Sequence, residues 1–415
     1  MEDRLQELQV DLPFSEHTEL MNQKLVIAGR TVQNRIVCQP MQSCGGKVNG
    51  GPDRLTKRRY IRLAEGGAGI IWFESVAVLP EARSQSRHMW LDEHNVEDYK
   101  ILVQEIKEAC FKKNGFEPII LLQLSHSGRY CKPQGVLQPV IVRNNPLFEV
   151  DGILDASYII GDEELKRLEQ TYGACVRLAG EAGFDGVDIK ACHQNLINEL
   201  LSAYNRPGEY GGSFFNRVRF LQNCFEAAHA AVPKEFIVTT RLSIYDGFPY
   251  PYGFGTREYA GLKPDVMQVI EIIQYLDKLF DLPLANISMG NPYINPHIER
   301  PYDRGTYIPD EHPLVSVARI VNCTAQVQKA CGNVKLVASG LSYLRQFSAQ
   351  LAAGILEKNY AALVGFGRMS VADPYFPQRL LKEGALSPQR LCTTCGYCTA
   401  CFHQGRRVKC RGEEK

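Results

Sequence analysis

Eight short apolar runs punctuate the chain, each closing at glycine or a polar residue: RIVCQP, GIIWFESVAV, PIILLQLSHSG, GFDGVDIKAC, FIVTTRLSI, LANISMG, VKLVASG and AALVGFGRM. Runs of this length, rich in Val, Ile and Leu, predict strands buried on both faces. Between them lie longer stretches with apolar residues at three- and four-residue spacing, such as DEELKRLEQTYGACVRLAGEAG and FNRVRFLQNCFEAAHAAV, which predict amphipathic helices. Strand and helix alternate throughout. Eight such units within 415 residues predict a (β/α)8 TIM barrel with long loops, a doubly wound open sheet being the alternative. Insertions follow the third strand (RYCKPQG to YIIGDEEL), the fifth (DGFPYPYGFG) and the sixth (GNPYINPHIERPYDRGTY). In a barrel all three sit over the catalytic face, so they are expected to wall a substrate pocket.

Composition narrows the class. With 45% hydrophobic residues and a net charge of +1, the chain can bury a large core and has no charge excess to draw it to nucleic acid. The opening MEDRLQELQVDLPF lacks the blocks of a secretory signal, and nothing approaches the roughly 18 uninterrupted apolar residues of a membrane helix. A cytoplasmic, membrane-free protein is the expectation, with homo-oligomerisation left open. In a reducing compartment its 14 cysteines are not expected to form disulfides. Nine, including Cys110, Cys175 and Cys323, are scattered singly and read as small core residues. The other five crowd into CTTCGYCTACFHQGRRVKC, residues 392–410.

In a barrel the chemistry sits where strands stop. The strand ends here supply Gln42 and Ser43, Ser75, Gln123 with His126 and Arg129, Lys190 with His193, Arg241, Ser288, Ser339 with Gly340, and Gly365 to Arg368. That set is too polar for a core. VASG followed by VGFGR has the form of a barrel phosphate site, small residues letting backbone N–H groups reach an anion while Arg368 adds charge. Tight strand-to-helix turns would require the same glycines.

Six stretches, NRIVCQPM, AEGGAGIIWFESVAV, LQLSHSGR, GFDGVDIKACH, LINELLSAYNRPGEYGGSFFNRVRF and VGFGR, together resemble the old yellow enzyme family of FMN-dependent ene-reductases. The resemblance runs from about residue 22 to 385. It implies bound FMN, with Pro40, Met41 and Gln42 against the ring, Ser75 and Gln123 on its pyrimidine side, and Arg241 facing N1 and the C2 carbonyl. A fixed cation there stabilises the negative charge of reduced flavin. Gly340, Gly367 and Arg368 match the phosphate site. The organisation implied is an N-terminal extension (1–21), an FMN-binding barrel (22–385) and a cluster-binding segment (386–415).

Cys392, Cys395, Cys398 and Cys410 follow C-x2-C-x2-C-x11-C. Closely spaced soft thiolates suit an iron–sulfur cluster first and zinc second. The cysteine-rich end resembles the branch of the family with 2,4-dienoyl-CoA reductase and trimethylamine dehydrogenase, which implies a [4Fe–4S] cluster; Cys401 stays open as an alternative to Cys410 for the fourth ligand. Those larger relatives continue into an FAD- and nucleotide-binding domain. No GxGxxG-bearing βαβ unit occurs here, so electrons are expected from NAD(P)H at the FMN, or from a ferredoxin or flavoprotein through the cluster.

At the fourth strand end the family carries two hydrogen-bonding side chains and then a proton-donating tyrosine. Here the chain reads KACHQN, placing Lys190 and His193 at the paired positions and Asn195 at the tyrosine. Lys190 and His193 are the expected catalytic pair, binding a carbonyl oxygen and stabilising the enolate-like charge that follows hydride addition. Lys190 could instead serve only a buried ion pair. Asn cannot supply a proton as Tyr can. The leading function is reduction of an activated C=C bond in an enone, enoate or enoyl thioester. The alternatives are an oxidative dehydrogenase of amines or alcohols, and an electron-transfer subunit with no substrate of its own.

Overall fold

The computed structural model describes residues 2–149, 152–305 and 307–414. An antiparallel hairpin, β1 (Leu25–Ile27) and β2 (Arg30–Val32), precedes eight parallel strands. These are β3 (Ile36–Cys38), β4 (Ile70–Ala77), β5 (Ile119–Ser125), β6 (Gly186–Ile189), β7 (Ile237–Ser243), β8 (Leu284–Ser288), β9 (Lys335–Ala338) and β10 (Leu363–Phe366). The barrel closes where β10 pairs with β3, Val364 opposite Ile36. Each expected strand is present and the open-sheet alternative is excluded.

The near-continuous apolar runs now have their cause: side chains alternate between two buried environments. Ile70 and Trp72 of β4 point into the barrel, whereas Ile71 and Phe73 point out against the helices. The outer ring consists of α1 (Arg54–Glu65), α2 (Val96–Asn114), α3 (Asp162–Glu181), α4 (Phe214–Ala231), α5 (Met267–Phe280), α6 (Pro313–Ala330), α7 (Ser348–Glu357) and α8 (Phe376–Glu383). A last helix, α9 (Tyr397–His403), lies within the cysteine segment.

The hairpin was not evident from periodicity, because its strands have three residues each. Its turn is Ala28–Gly29, both at positive φ (48° and 74°), the geometry of a two-residue primed turn. Ile27 and Val32 pack onto Val37, Ile70 and Trp72 and plug the N-terminal end of the barrel. The chemistry is thereby confined to the opposite mouth.

The nine scattered cysteines are all buried. Burial pushes thiols such as Cys38 and Cys175 up to about 12, far from the reactive thiolate. Among the described residues no helix is long and apolar enough to cross a membrane.

Candidate active site

A cavity opens at the C-terminal ends of the strands. Pro40, Met41, Gln42, Ser75, Gln123, Lys190, His193, Arg241, Gly340, Gly367 and Arg368 all line it. Residues from seven of the eight barrel strands or their ends thus converge on one space, the usual place of a barrel's chemistry.

The floor is a hydrogen-bonded polar layer. Asp188 of β6 accepts from Trp72 Nε1 at 2.7 Å, from Gln123 Nε2 at 2.6 Å and from the Arg241 backbone N–H. Burial raises its carboxyl to about 6. With its amide nitrogen committed to Asp188, Gln123 leaves its oxygen for a ligand. Gln39 and Asn286 exchange hydrogen bonds of 3.1 and 2.7 Å across the barrel, and Gln39 also donates to Ser339 Oγ at 3.0 Å.

Arg241 donates from Nη2 to Ser288 Oγ at 3.3 Å, while its buried Nε has no partner. An orphaned guanidinium donor on a cavity wall is what the pyrimidine edge of FMN would satisfy. After β9 and β10, Gly340 lies at φ +87° and a Cβ at Gly365 would fall 2.1 Å from Gln39 Nε2, so glycine is required at both, leaving the open cradle an FMN phosphate would need. The Arg368 guanidinium is buried at the same end and donates to the Pro301 carbonyl at 2.7 Å. Donors and cradle fit FMN. Arg241→Ala is expected to make the bound flavin harder to reduce by about 30–60 mV, one charge-assisted hydrogen bond in a two-electron couple. Potentiometric titration of the two proteins measures it.

His193 departs from the expected free clamp. Its Nε2 lies 2.7 Å from Ser288 Oγ and 3.1 Å from Glu299 Oε1. Burial lowers its pKa to about 4, so the ring is neutral at physiological pH. Burial works against ionisation of Glu299 as well, yet the facing His193, Arg300 and Arg241 hold its carboxyl below the usual range. A carboxylate accepts only from an N–H, so Nε2 carries the proton and Nδ1 keeps a lone pair. His193 and Gln194 both have positive φ (65° and 54°). Asn198 Oδ1 pins this strained turn by accepting the Gln194 N–H at 2.7 Å, and Asp246 accepts the Gln194 side chain.

Lys190 has no hydrogen-bond or ion-pair partner among the described residues and lines the same cavity. The ion-pair role considered for it is therefore not realised. Burial lowers its pKa; Arg241 acts in the same direction, while Asp188 and Glu299 oppose it. Asn195 also reaches the cavity, at the N-cap of the short helix Leu196–Leu201.

Three strand-end residues do other work. Ser43 donates its N–H to Glu74, His126 accepts from the Gly128 N–H at 3.1 Å, and Arg129 is ion-paired to Glu149 and Glu199. Of the three long loops, only the one after β8 contributes lining, through Pro292, Tyr293, Glu299 and Arg300. Glu299 and Tyr293 were missed because a Pro-rich loop has no periodicity; its cluster of His, Glu and Arg was the available signal.

The remaining wall is the cysteine segment, which contributes Cys398, Thr399, Phe402 and Val408. Tyr293 stacks on Tyr130 at 3.7 Å and meets Phe402 and His403 of α9. Thr394 (φ 52°) and Gly396 (φ 72°) curl the backbone between the first three cysteines. Burial raises the Cys410 thiol, and the neighbouring Cys392, Cys395 and Cys398 raise it further. Cys401 is fully buried and interacts instead with Cys44. Among the described residues, no three His, Cys, Asp or Glu side chains converge tightly enough to hold a single ion.

A closed parallel barrel whose polar mouth fits FMN defines an FMN-dependent oxidoreductase of the old yellow enzyme type. The profile of the NADH:flavin oxidoreductase / NADH oxidase family matches residues 24–386, and the chain belongs to that family. An NADPH dehydrogenase of Clostridium acetobutylicum is 27% identical over 355 residues, 84% of this chain and 91% of the relative. Two solved structures share the fold. The 2-naphthoyl-CoA reductase complexed with 2-naphthoyl-CoA (TM-score 0.76, 18% identity) pairs with 95% of this chain, which spans 56% of that longer one. The old yellow enzyme homologue of Zymomonas mobilis (TM-score 0.65, 22% identity) pairs with 88% of this chain and 94% of its own.

Proposed function

We propose that the protein reduces an activated C=C bond, conjugated to a ketone, carboxylate or thioester carbonyl, with NAD(P)H or a one-electron carrier as the source of electrons. When bound, FMN supplies hydride transfer to the β-carbon. The observation that carries the reading is the unpartnered Lys190 ammonium lining the cavity that fits FMN. It donates a hydrogen bond to the substrate carbonyl and stabilises the charge developing on that oxygen. Asn195 has no acidic proton. Lys190, its proton loosened by burial, is the acid available to the α-carbon. A thioester substrate is consistent with the naphthoyl-CoA held by the longer structural neighbour.

The grouping of Cys392, Cys395, Cys398 and Cys410 supports a [4Fe–4S] cluster held by those four thiolates. Each thiolate binds a separate iron, so the ligands stand wider apart than those of one ion.

One observation favours the oxidative alternative: with Nε2–H held by Glu299, neutral His193 has an Nδ1 lone pair able to accept a substrate proton. In that direction, flavin reduction at saturating amine or alcohol is expected to persist until His193 protonates, at about pH 4. An acid limb near the ordinary histidine value would exclude His193 as the base. The deciding experiment is anaerobic: enones, enoyl thioesters, amines and alcohols are presented to the protein and its flavin absorbance followed. Reoxidation by enones or thioesters supports the first reading; flavin reduction by amines or alcohols supports the second.

A further inference from the structure

A cleft on the other side of the cysteine segment is not used by the catalytic reading. Among the described residues its lining includes Arg58, Arg59, Arg62, Arg390, Arg407 and Lys409, and no Asp or Glu. On a chain of net charge +1 this is a local concentration of one sign. Arg407 pairs with Asp53, and Arg62 lies over the Tyr375 ring at 5.7 Å. Arg59 keeps a buried Nη1 without a hydrogen bond, and Arg58 and Arg390 are exposed with no partner among the described residues. Cys410 forms part of the same wall, and Val408 is shared with the flavin cavity. Arg58, Arg59 and Arg390, crowded together, raise each other's energy, and an acidic surface relieves this while steering encounter.

We propose that this cleft docks a small acidic one-electron carrier protein, an inference that rests on the cluster reading above. A hydride donor must touch the flavin ring. A one-electron carrier needs only to approach the cluster, and Cys410 in the wall brings the cleft beside it. Two carrier molecules, each giving up one electron, together with two protons from water complete the reduction of one C=C bond.

The test begins with iron and sulfide content of the anaerobically purified holoprotein. Binding of an acidic two-cluster ferredoxin and of a flavodoxin is then measured by calorimetry at low and moderate salt. The wild type is compared with Arg58→Glu combined with Arg390→Glu, whose flavin content checks that it folds. The wild type is expected to bind at least one carrier, more weakly as salt rises. The double variant should bind about tenfold more weakly with a shallower salt dependence, while reduction of its flavin by NADPH is unchanged. Iron present with carrier binding unaffected by the charge reversal, or no binding of either carrier by the wild type, overturns the docking proposal alone. Loss of NADPH or coenzyme A binding in place of carrier binding reassigns the cleft to a phosphate ligand and also overturns it. Absence of iron and sulfide removes the cluster and, with it, this proposal.

Discussion

Lys190→Met is expected to slow reoxidation of the reduced protein by an enone about 10²–10³-fold, the usual cost of deleting one oxyanion donor. Methionine keeps the length and apolar stem of the side chain and removes only the charge. Reduction of the flavin by NADPH or dithionite should remain near the wild-type rate, because no charge develops on a substrate carbonyl in that half-reaction. Stopped-flow absorbance of the two half-reactions separates the effects. Equal slowing of both would indicate damage to the flavin site, and unchanged reoxidation with every accepted substrate would leave Lys190 without a catalytic role and favour the electron-carrier reading. Lys190 suits the role because its ammonium lacks a partner at a cavity wall. A partly buried cation that no side chain contacts directly is favoured when a ligand's dipole or charge meets it.

Cys410→Ser should lose most of the iron and sulfide that the wild type carries, about four of each per chain for one cubane. Cys401→Ser should leave both intact. Cys410 is grouped with Cys392, Cys395 and Cys398, whereas Cys401 is fully buried and lies near Cys44. Iron and labile-sulfide assays on anaerobic protein read the outcome. Iron lost from the Cys401 variant and kept in the Cys410 variant would exchange the two assignments, and stoichiometric zinc without sulfide in the wild type would dismiss the cluster.

The eight strands were legible because burial on both faces imposes a local composition, visible in runs such as the eight fully buried residues of β4. Gly340 was legible for a similarly local reason, being required by its own positive φ. The set of residues lining the cavity was largely readable too, since a barrel brings every strand end to one mouth whatever the loops do. Ser43, His126 and Arg129 mark the limit of that rule. They follow their strands as closely as Gln42 or Lys190 do, yet their partners are Glu74, the Gly128 N–H, Glu149 and Glu199.

By itself, then, the sequence determined what depends on neighbours along the chain: strand and helix, the glycine turns, the spacing of the four thiols. Only the tertiary structure decided the rest. Closure of β10 onto β3 and the packing of the cysteine segment over the mouth join residues from opposite ends of the chain, as Asp53 and Arg407 are joined by an ion pair. The neighbouring of β6, β7 and β8 in the barrel carries Glu299 from a loop without periodicity to His193, fixing which imidazole nitrogen bears the proton. Folding also leaves Lys190 facing the cavity without a partner among the described residues and buries Cys401 near Cys44. Those outcomes depend on how distant segments share space and charge, and local pattern carries no record of that.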